Sequence, residues 1–156
     1  MADDYPKLPP RLTRVFSNNP LYFVTLCTYR RRKLLATNSV NDALVEFAIR
    51  AQVEHYIAVG RYVILPDHLH LFVRGLDDFR LRRWIGTLKQ YLAKTIGLTK
   101  ASQAIWQRGF FDHVLRSEES YGQKWNYVRE NPVRAGLVER AEDWPCAGEI
   151  VIIDRV

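Results

Sequence analysis

The sequence predicts an α+β domain, a single antiparallel sheet with helices on one face and an additional helix toward the C-terminus. Three observations lead there. Short runs of β-branched and aromatic residues alternate with longer runs of helical periodicity. A proline–aspartate turn joins two of the strands tightly enough for a hairpin, and a further helical run follows the last strand.

The elements follow in order. Residues 1–20 read as an extended N-terminal arm, because Met1 to Pro10 holds three prolines and little periodicity. Leu21 to Thr28 is short, apolar and β-branched, which predicts a buried strand, and it runs into the basic segment Arg30-Arg31-Arg32-Lys33. Val40, Leu44, Phe47, Ala48 and Ala51 recur at helical spacing, with Asn38 or Ser39 as the expected cap. Tyr56 to Ile64 and His68 to Arg74 form the hairpin through Leu65-Pro66-Asp67. From Phe79 to Ile96 an apolar stripe through Leu81, Trp84, Ile85, Leu88 and Leu92 predicts an amphipathic helix closed by Gly97. Phe110 to Arg116 is the next strand. A helix from about Glu118 to Glu130 follows, with Ser117-Glu118-Glu119-Ser120 supplying its start and Pro132 its limit. The order β-α-β-β-α-β plus one helix matches the ferredoxin-like, or split βαβ, layout. The domain is expected over residues 21–145, with a short tail at 146–156 that either pairs with a second subunit or covers the molecule's own edge.

Composition narrows the function. At 156 residues with 47% hydrophobic content the chain suits one packed domain rather than a disordered one. Lys and Arg number 23 against 17 Asp and Glu, a net +6 that favours an anionic partner and puts nucleic acid first. Cys27 and Cys146 form no CxxC pair, so neither a zinc ribbon nor a disulfide framework is suggested. The apolar stretches are too short for a membrane span, and the N-terminal residues lack the order of a signal peptide. The expected setting is the cytoplasm.

Chemistry concentrates in two places. His68 and His70 lie two apart at the start of a predicted strand, so both imidazoles point to one face while Leu69, Leu71 and Val73 point to the other. That spacing lets two nitrogen donors reach one divalent cation, although structural or surface histidines are the commoner source of an HxH pair. Tyr127 and Asn131 are four apart on a predicted helix and so share a face. The plain alternative is a core tyrosine and an asparagine that ends a helix before Pro132. Together the two features suggest phosphoryl transfer. A phenol ionises near pH ~10 and attacks an anionic phosphodiester poorly, and a cation offsets both handicaps. Imidazole and oxygen donors around an open site suit Mg²⁺ or Mn²⁺, with a catalytic zinc hydrolase as a rival.

Three collinear segments then carry a resemblance. They are Val63-Ile-Leu-Pro-Asp-His-Leu-His-Leu-Phe-Val73, Ile105-Trp-Gln-Arg-Gly-Phe-Phe-Asp-His-Val-Leu-Arg116 and Tyr127-Val-Arg-Glu-Asn-Pro-Val-Arg-Ala-Gly-Leu-Val138, with Trp144-Pro145 as a closing echo. The chain resembles the HUH-type single-tyrosine transposases, and within them the REP-associated tyrosine transposases of bacteria. The resemblance implies His68 and His70 as the metal pair, Tyr127 as the nucleophile, and Asn131 as third ligand where relatives often carry glutamine. It also implies a single-strand-specific endonuclease and strand transferase that forms a covalent phosphotyrosine. The implied partner is single-stranded DNA with a REP-like hairpin, and the implied setting is the bacterial nucleoid. The assembly is a monomer or a homodimer.

The residues expected to contact DNA are Arg30, Arg31, Arg32, Lys33, Arg82, Arg83, Lys89 and Arg108, with Trp106 or Phe110 as a stacking face for an unpaired base. Solvated helix charge is the bland explanation for the cations. Tyr121 competes with Tyr127 as nucleophile but falls on a different face of the same helix. Two further readings stand beside the transferase: a metal-dependent hydrolase that uses water, and a domesticated DNA-binding protein that no longer cuts.

Overall fold

The computed structural model describes residues 19–97, 105–116 and 120–153. Five strands form one sheet: β1 (Leu21–Cys27), β2 (Ala58–Ile64), β3 (His68–Arg74), β4 (Phe111–Leu115) and β5 (Ala147–Glu149). Their spatial order is β4-β1-β3-β2-β5, and each neighbouring pair is antiparallel. β3 is therefore inserted between β1 and β2, which run parallel to each other, and this is the split βαβ arrangement the element order predicts.

Helices α1 (Asn38–His55) and α2 (Leu81–Ile96) cover one face. Leu69, Leu71 and Val73 alternate along β3 toward that side and pack with Val24, Leu26, Leu44, Trp84 and Leu88 in the main core. Three aliphatic side chains of this single strand are completely buried. Each such burial stabilises by roughly 1.5–3 kcal/mol relative to exposure.

The local signals shift by a few residues. Thr37 caps α1, its hydroxyl accepting from the Val40 N–H at 3.2 Å, in place of the expected Asn38 or Ser39. α1 continues to His55 and closes on Tyr56 in the left-handed region (φ 55°), so β2 begins at Ala58 rather than Tyr56. α2 starts at Leu81 because Phe79 is used in a turn, its N–H bonded to Leu76 O at 2.9 Å. Gly97 (φ 84°) ends α2 as expected.

Helix α3 (Tyr121–Val128) lies on the opposite face of the sheet and contains Tyr127. Ser120 caps it, accepting from the Gln123 N–H at 3.1 Å, while Ser117, Glu118 and Glu119 lie outside the described residues. The expected continuation to Glu130 is replaced by a break, after which Asn131–Arg134 form the single turn α4.

Two features seat α3. Tyr121 packs on Phe72, the rings tilted by 59° with centroids 4.6 Å apart, and its hydroxyl accepts from the Arg61 N–H at 2.8 Å. That contact needs Gly60: a Cβ there would stand 2.4 Å from the tyrosine oxygen, inside any tolerated approach. β2 also slips register against β3 between Val59 and Tyr62, a bulge that turns the Arg61 N–H out of the ladder and toward the phenol. Residues 146–153 belong to this arrangement. β5 pairs with β2 of the same molecule, and Val151 and Ile153 join Tyr121, Phe72 and Leu115 in a second apolar cluster. The described part of the tail, residues 146–153, covers the molecule's own edge.

Candidate active site

The face of the sheet under α3 carries His68, His70 and Phe72 from β3, beside Phe23 and Thr25 from β1. Both imidazoles are anchored through Nδ1. His68 Nδ1 donates to Asp67 Oδ1 at 2.8 Å, and His70 Nδ1 bonds the Thr25 hydroxyl at 2.8 Å. Each ring therefore turns Nε2 away from its anchor. Fixing one nitrogen of an imidazole in this way orients the other as a metal donor. The rings stand 5.0 Å apart, edge to face.

Asp67 is shared. It also accepts from Arg31 Nε at 3.0 Å, so arginine, carboxylate and imidazole form a chain. Burial works to raise the Asp67 carboxyl, but the hydrogen bond from His68 and the charge of Arg31 outweigh it and hold the group below the ordinary aspartate range. Arg31 is aimed by an unusual backbone. It and Arg30 lie in the left-handed region (φ 55° and 56°) within the 3-10 turn Tyr29–Arg31, a conformation that costs non-glycine residues on the order of 1 kcal/mol each. Strain of that kind persists where surrounding contacts over-determine it, here the Asp67 ion pair and a 3.0 Å contact from the Arg31 guanidinium to Cys27 Sγ.

His70 is the more enclosed imidazole. Phe23 stacks on it at 5.2 Å, with the planes 16° apart. Burial, then the charges of His68, Lys124 and Arg31, hold its pKa down to about 3, so it is neutral at pH 7 with a lone pair to offer. Lys124 also contacts Phe23, its Nζ 4.8 Å from the ring centroid. Helix α3 is thus fastened to the histidine face by a Lys124–Phe23–His70 stack, with Tyr127 three residues further along the helix.

The C-terminal end of α3 reaches the turn that carries His68, because Val128 packs with Leu65 and Val63. Tyr127 itself is 66% exposed. The Arg134 guanidinium lies 4.2 Å over its ring, bonds its carbonyl at 2.6 Å and also bonds Asn131 Oδ1. Tyr127 and Asn131 therefore share one arginine. Among the described residues no hydrogen bond or ring contact joins Tyr127 to either histidine. Tyr121 has the opposite character: it is buried, its oxygen is committed to Arg61, and burial pushes its phenol well above the ordinary tyrosine range.

Among the described residues, no cluster of three or more His, Cys, Asp or Glu side chains is disposed to hold a metal. The donors that the described residues turn to one face are the two strand imidazoles, each oriented through its Nδ1 bond. Asn131 Oδ1 has two lone pairs, of which Arg134 occupies one.

The cations expected to contact DNA divide between the two sides of the molecule. Arg30, Arg31, Arg32 and Lys33 are exposed beside His68 and Asp67, and Arg108 is exposed in the loop before β4. That loop lies against the end of β1, since Gln107 N donates to Cys27 O and Tyr29 N to Ile105 O, each at 2.9 Å. Arg82 and Arg83 are exposed on α2, across the sheet from the histidines, where Arg83 lines a groove of about 760 Å³ between α1 and α2. Two residues take other work. Lys89 Nζ is spent on Gly109 O at 2.6 Å and Gln107 O at 3.1 Å, pinning that loop to α2. Trp106 is buried in the main core with its indole N–H bonded to Lys89 O at 3.0 Å, so it is not a free stacking face, and Phe110 packs against the same core. Thr25, Asp67 and Lys124 are site residues that the sequence does not single out. Only Asp67 gives a signal there, as the residue directly before His68.

Solved structures share this architecture. One, described as a REP-associated tyrosine transposase bound to a REP hairpin, superposes with a TM-score of 0.67 at 22% identity, over 94% of this chain and 82% of the other. A second, from Deinococcus radiodurans and described provisionally as a transposase, gives 0.52 at 14% identity over 83% of this chain and 97% of the other. At these identities the likeness concerns the fold, which is that of a transposase domain. Sequence gives the particular family. Residues 17–131 match the family described as Transposase IS200 like, and the chain belongs to that family of DNA-recombining enzymes. It is 30% identical over 135 residues to the REP-associated tyrosine transposase of Escherichia coli, covering 85% of this chain and 78% of the relative. A Haemophilus influenzae protein that bears the same name provisionally is 31% identical over 146 residues, 85% of this chain and 81% of its own length. No helix among the described residues is long and apolar enough to cross a membrane.

Proposed function

We propose that the protein cleaves and rejoins single-stranded DNA beside a hairpin, with Tyr127 as nucleophile and a REP-like element as substrate. One observation carries the reading: the Lys124–Phe23–His70 stack fastens the Tyr127 helix over the face that bears the paired imidazoles. The names of the relatives, and the REP hairpin to which the matched transposase is bound, point to the same substrate class.

His68, His70 and Asn131 would hold Mg²⁺ or Mn²⁺, and when bound the cation polarises the scissile phosphate and offsets its charge. The chain's own residues supply the remainder. Asp67 and Thr25 keep both imidazoles turned toward the site. Lys124, held over Phe23, and the exposed Arg30 and Arg32 draw the phosphate backbone in. Tyr127 Oη attacks phosphorus, its proton passing to water. The bond from phosphorus to the departing strand breaks, and that strand's oxygen takes up a proton and leaves as a free hydroxyl. The phosphotyrosine keeps the ester's energy, so a second hydroxyl can reverse the step without ATP. Arg134, over the Tyr127 ring, restrains the phenol between turnovers.

Incubation of the protein with labelled single-stranded hairpin DNA and Mn²⁺ tests this. A covalent protein–DNA adduct that survives denaturing gel electrophoresis is expected, lost completely in Tyr127→Phe and retained in Tyr121→Phe. An adduct in Tyr127→Phe rejects the nucleophile. Cut DNA without adduct supports the hydrolase, and bound but intact DNA the non-cutting reading.

A further inference from the structure

The edge strand β4 carries an aromatic side chain that neither the core nor the proposed chemistry uses. Phe111 is 62% exposed, far more than a phenylalanine in a sheet needs to be. Its position is set by register. Phe111 pairs with Thr25, and Thr25 pairs with His70, so the three lie in one row across β4, β1 and β3. Residues directly opposite in antiparallel strands present their side chains to the same face. Phe111 therefore stands on the histidine face, two strands from His70, at about 10 Å given the usual ~4.8 Å strand spacing.

Its surroundings are cationic and fixed. The loop leading into β4 presents exposed Arg108 and is pinned by Lys89 Nζ at Gly109 O, while exposed Arg30 and Arg32 project from the neighbouring turn. A single exposed apolar residue is ordinary on a protein surface. An exposed aromatic ring in register with His70, on a strand entered from an arginine-bearing loop, is the combination that binds single strands, where cations follow the phosphates and bases stack on rings.

We propose that Phe111 is a stacking platform for an unpaired base of the DNA strand that enters the site, taking the role that buried Trp106 cannot. The proposal rests on the DNA reading above and adds the path of the strand, across β1 toward β4. The edge could in principle receive a second copy of the chain instead. The arginines oppose that, because a second copy would bring the same positive charges against them, whereas a nucleic acid brings the complementary ones.

The test is fluorescence anisotropy with a DNA hairpin carrying oligo-dT tails on both sides, for wild type, Phe111→Ala, Phe111→Leu and Phe111→Trp, repeated with one abasic position walked along each tail. Binding about tenfold weaker or more is expected for Phe111→Ala and for Phe111→Leu, with Phe111→Trp close to wild type. One tail position should exist where base removal weakens the wild type but adds nothing to Phe111→Ala. Equal affinity for Phe111→Ala and wild type, retention by Phe111→Leu, or penalties that add at every tail position overturns the stacking role while leaving the DNA reading intact. A wild type that ignores the hairpin overturns both. Sedimentation of the same variants closes the alternative: a wild-type dimer that Phe111→Ala splits would make the residue a subunit contact and overturn the proposal.

Discussion

Strand β3 has two sides, and they obey different rules. Toward α1 and α2 it offers Leu69, Leu71 and Val73, all fully buried, which tolerate little change in volume and carry no chemistry. Toward α3 it offers His68, His70 and Phe72, where two polar groups sit in a partly buried setting and each is held by a specific partner. The comparison teaches how the site is kept accurate. The apolar side fixes the strand, and hydrogen bonds on the other side only have to rotate two rings on a backbone that is already fixed. A covering helix completes the contrast. α1 and α2 pack on the main core, whereas α3 packs on smaller apolar clusters through Tyr121 and Val128 and adds two polar attachments, the Tyr121 oxygen at the β2 bulge and Lys124 over Phe23.

The largest effect expected from breaking this division is on the apolar side. Leu71→Ala removes a fully buried side chain from the middle of the central strand and should cost about 2–5 kcal/mol of unfolding free energy. Urea denaturation measures it. Titration of the folded variant with Mn²⁺ should give an affinity near that of wild type, since Leu71 points away from both imidazoles. A large loss of metal affinity with little loss of stability would mean that the two sides are not separable.

The reverse pattern is expected for Asp67→Ala. Removing the carboxylate frees the His68 ring to rotate and releases Arg31, so Mn²⁺ affinity should fall by roughly 10- to 100-fold. Stability should change by no more than about 1 kcal/mol, because the Arg31–Asp67 pair is solvent-accessible and such pairs contribute little. Mn²⁺ titration of the DNA-free protein followed by thermal melting separates the two quantities. An unchanged affinity would show that His68 does not need its anchor.

These contrasts also show how much the sequence can tell. The alternation of β3 is local, so the burial of Leu69, Leu71 and Val73 and the common face of His68 and His70 are legible from periodicity alone. Tyr127 is not legible in that way. Spacing places it beside Asn131 and turns Tyr121 to a different face, but it is the resemblance that implies a nucleophile at all; Tyr121 is buried with its oxygen bonded to the Arg61 N–H. Thr25 and Lys124 act through register and packing between segments far apart in the chain, which composition and periodicity do not encode, whereas Asp67 directly precedes the histidine it holds. Trp106 misleads for the same reason. A tryptophan in a basic segment reads as a surface stacker until the fold shows its indole bonded to the backbone of α2.

The smallest expected effect is the one that locates the DNA. Arg30 and Arg83 are both exposed arginines that composition alone treats alike, yet one borders the histidine face and the other lines the groove between α1 and α2. Each phosphate contact on a single strand releases about 0.7 of a counterion, so the slope of log affinity against log salt counts contacts without requiring a large change in affinity. Arg30→Ala should lower that slope by about 0.7 and weaken binding only severalfold. Arg83→Ala should leave it unchanged. Arg30 is the cleaner probe because Arg31 is already paired with Asp67, and its removal would disturb His68 as well. Equal slopes for both variants and a lower one than wild type would mean that the strand wraps onto the helical face, and the division between the two sides would then hold for stability but not for binding.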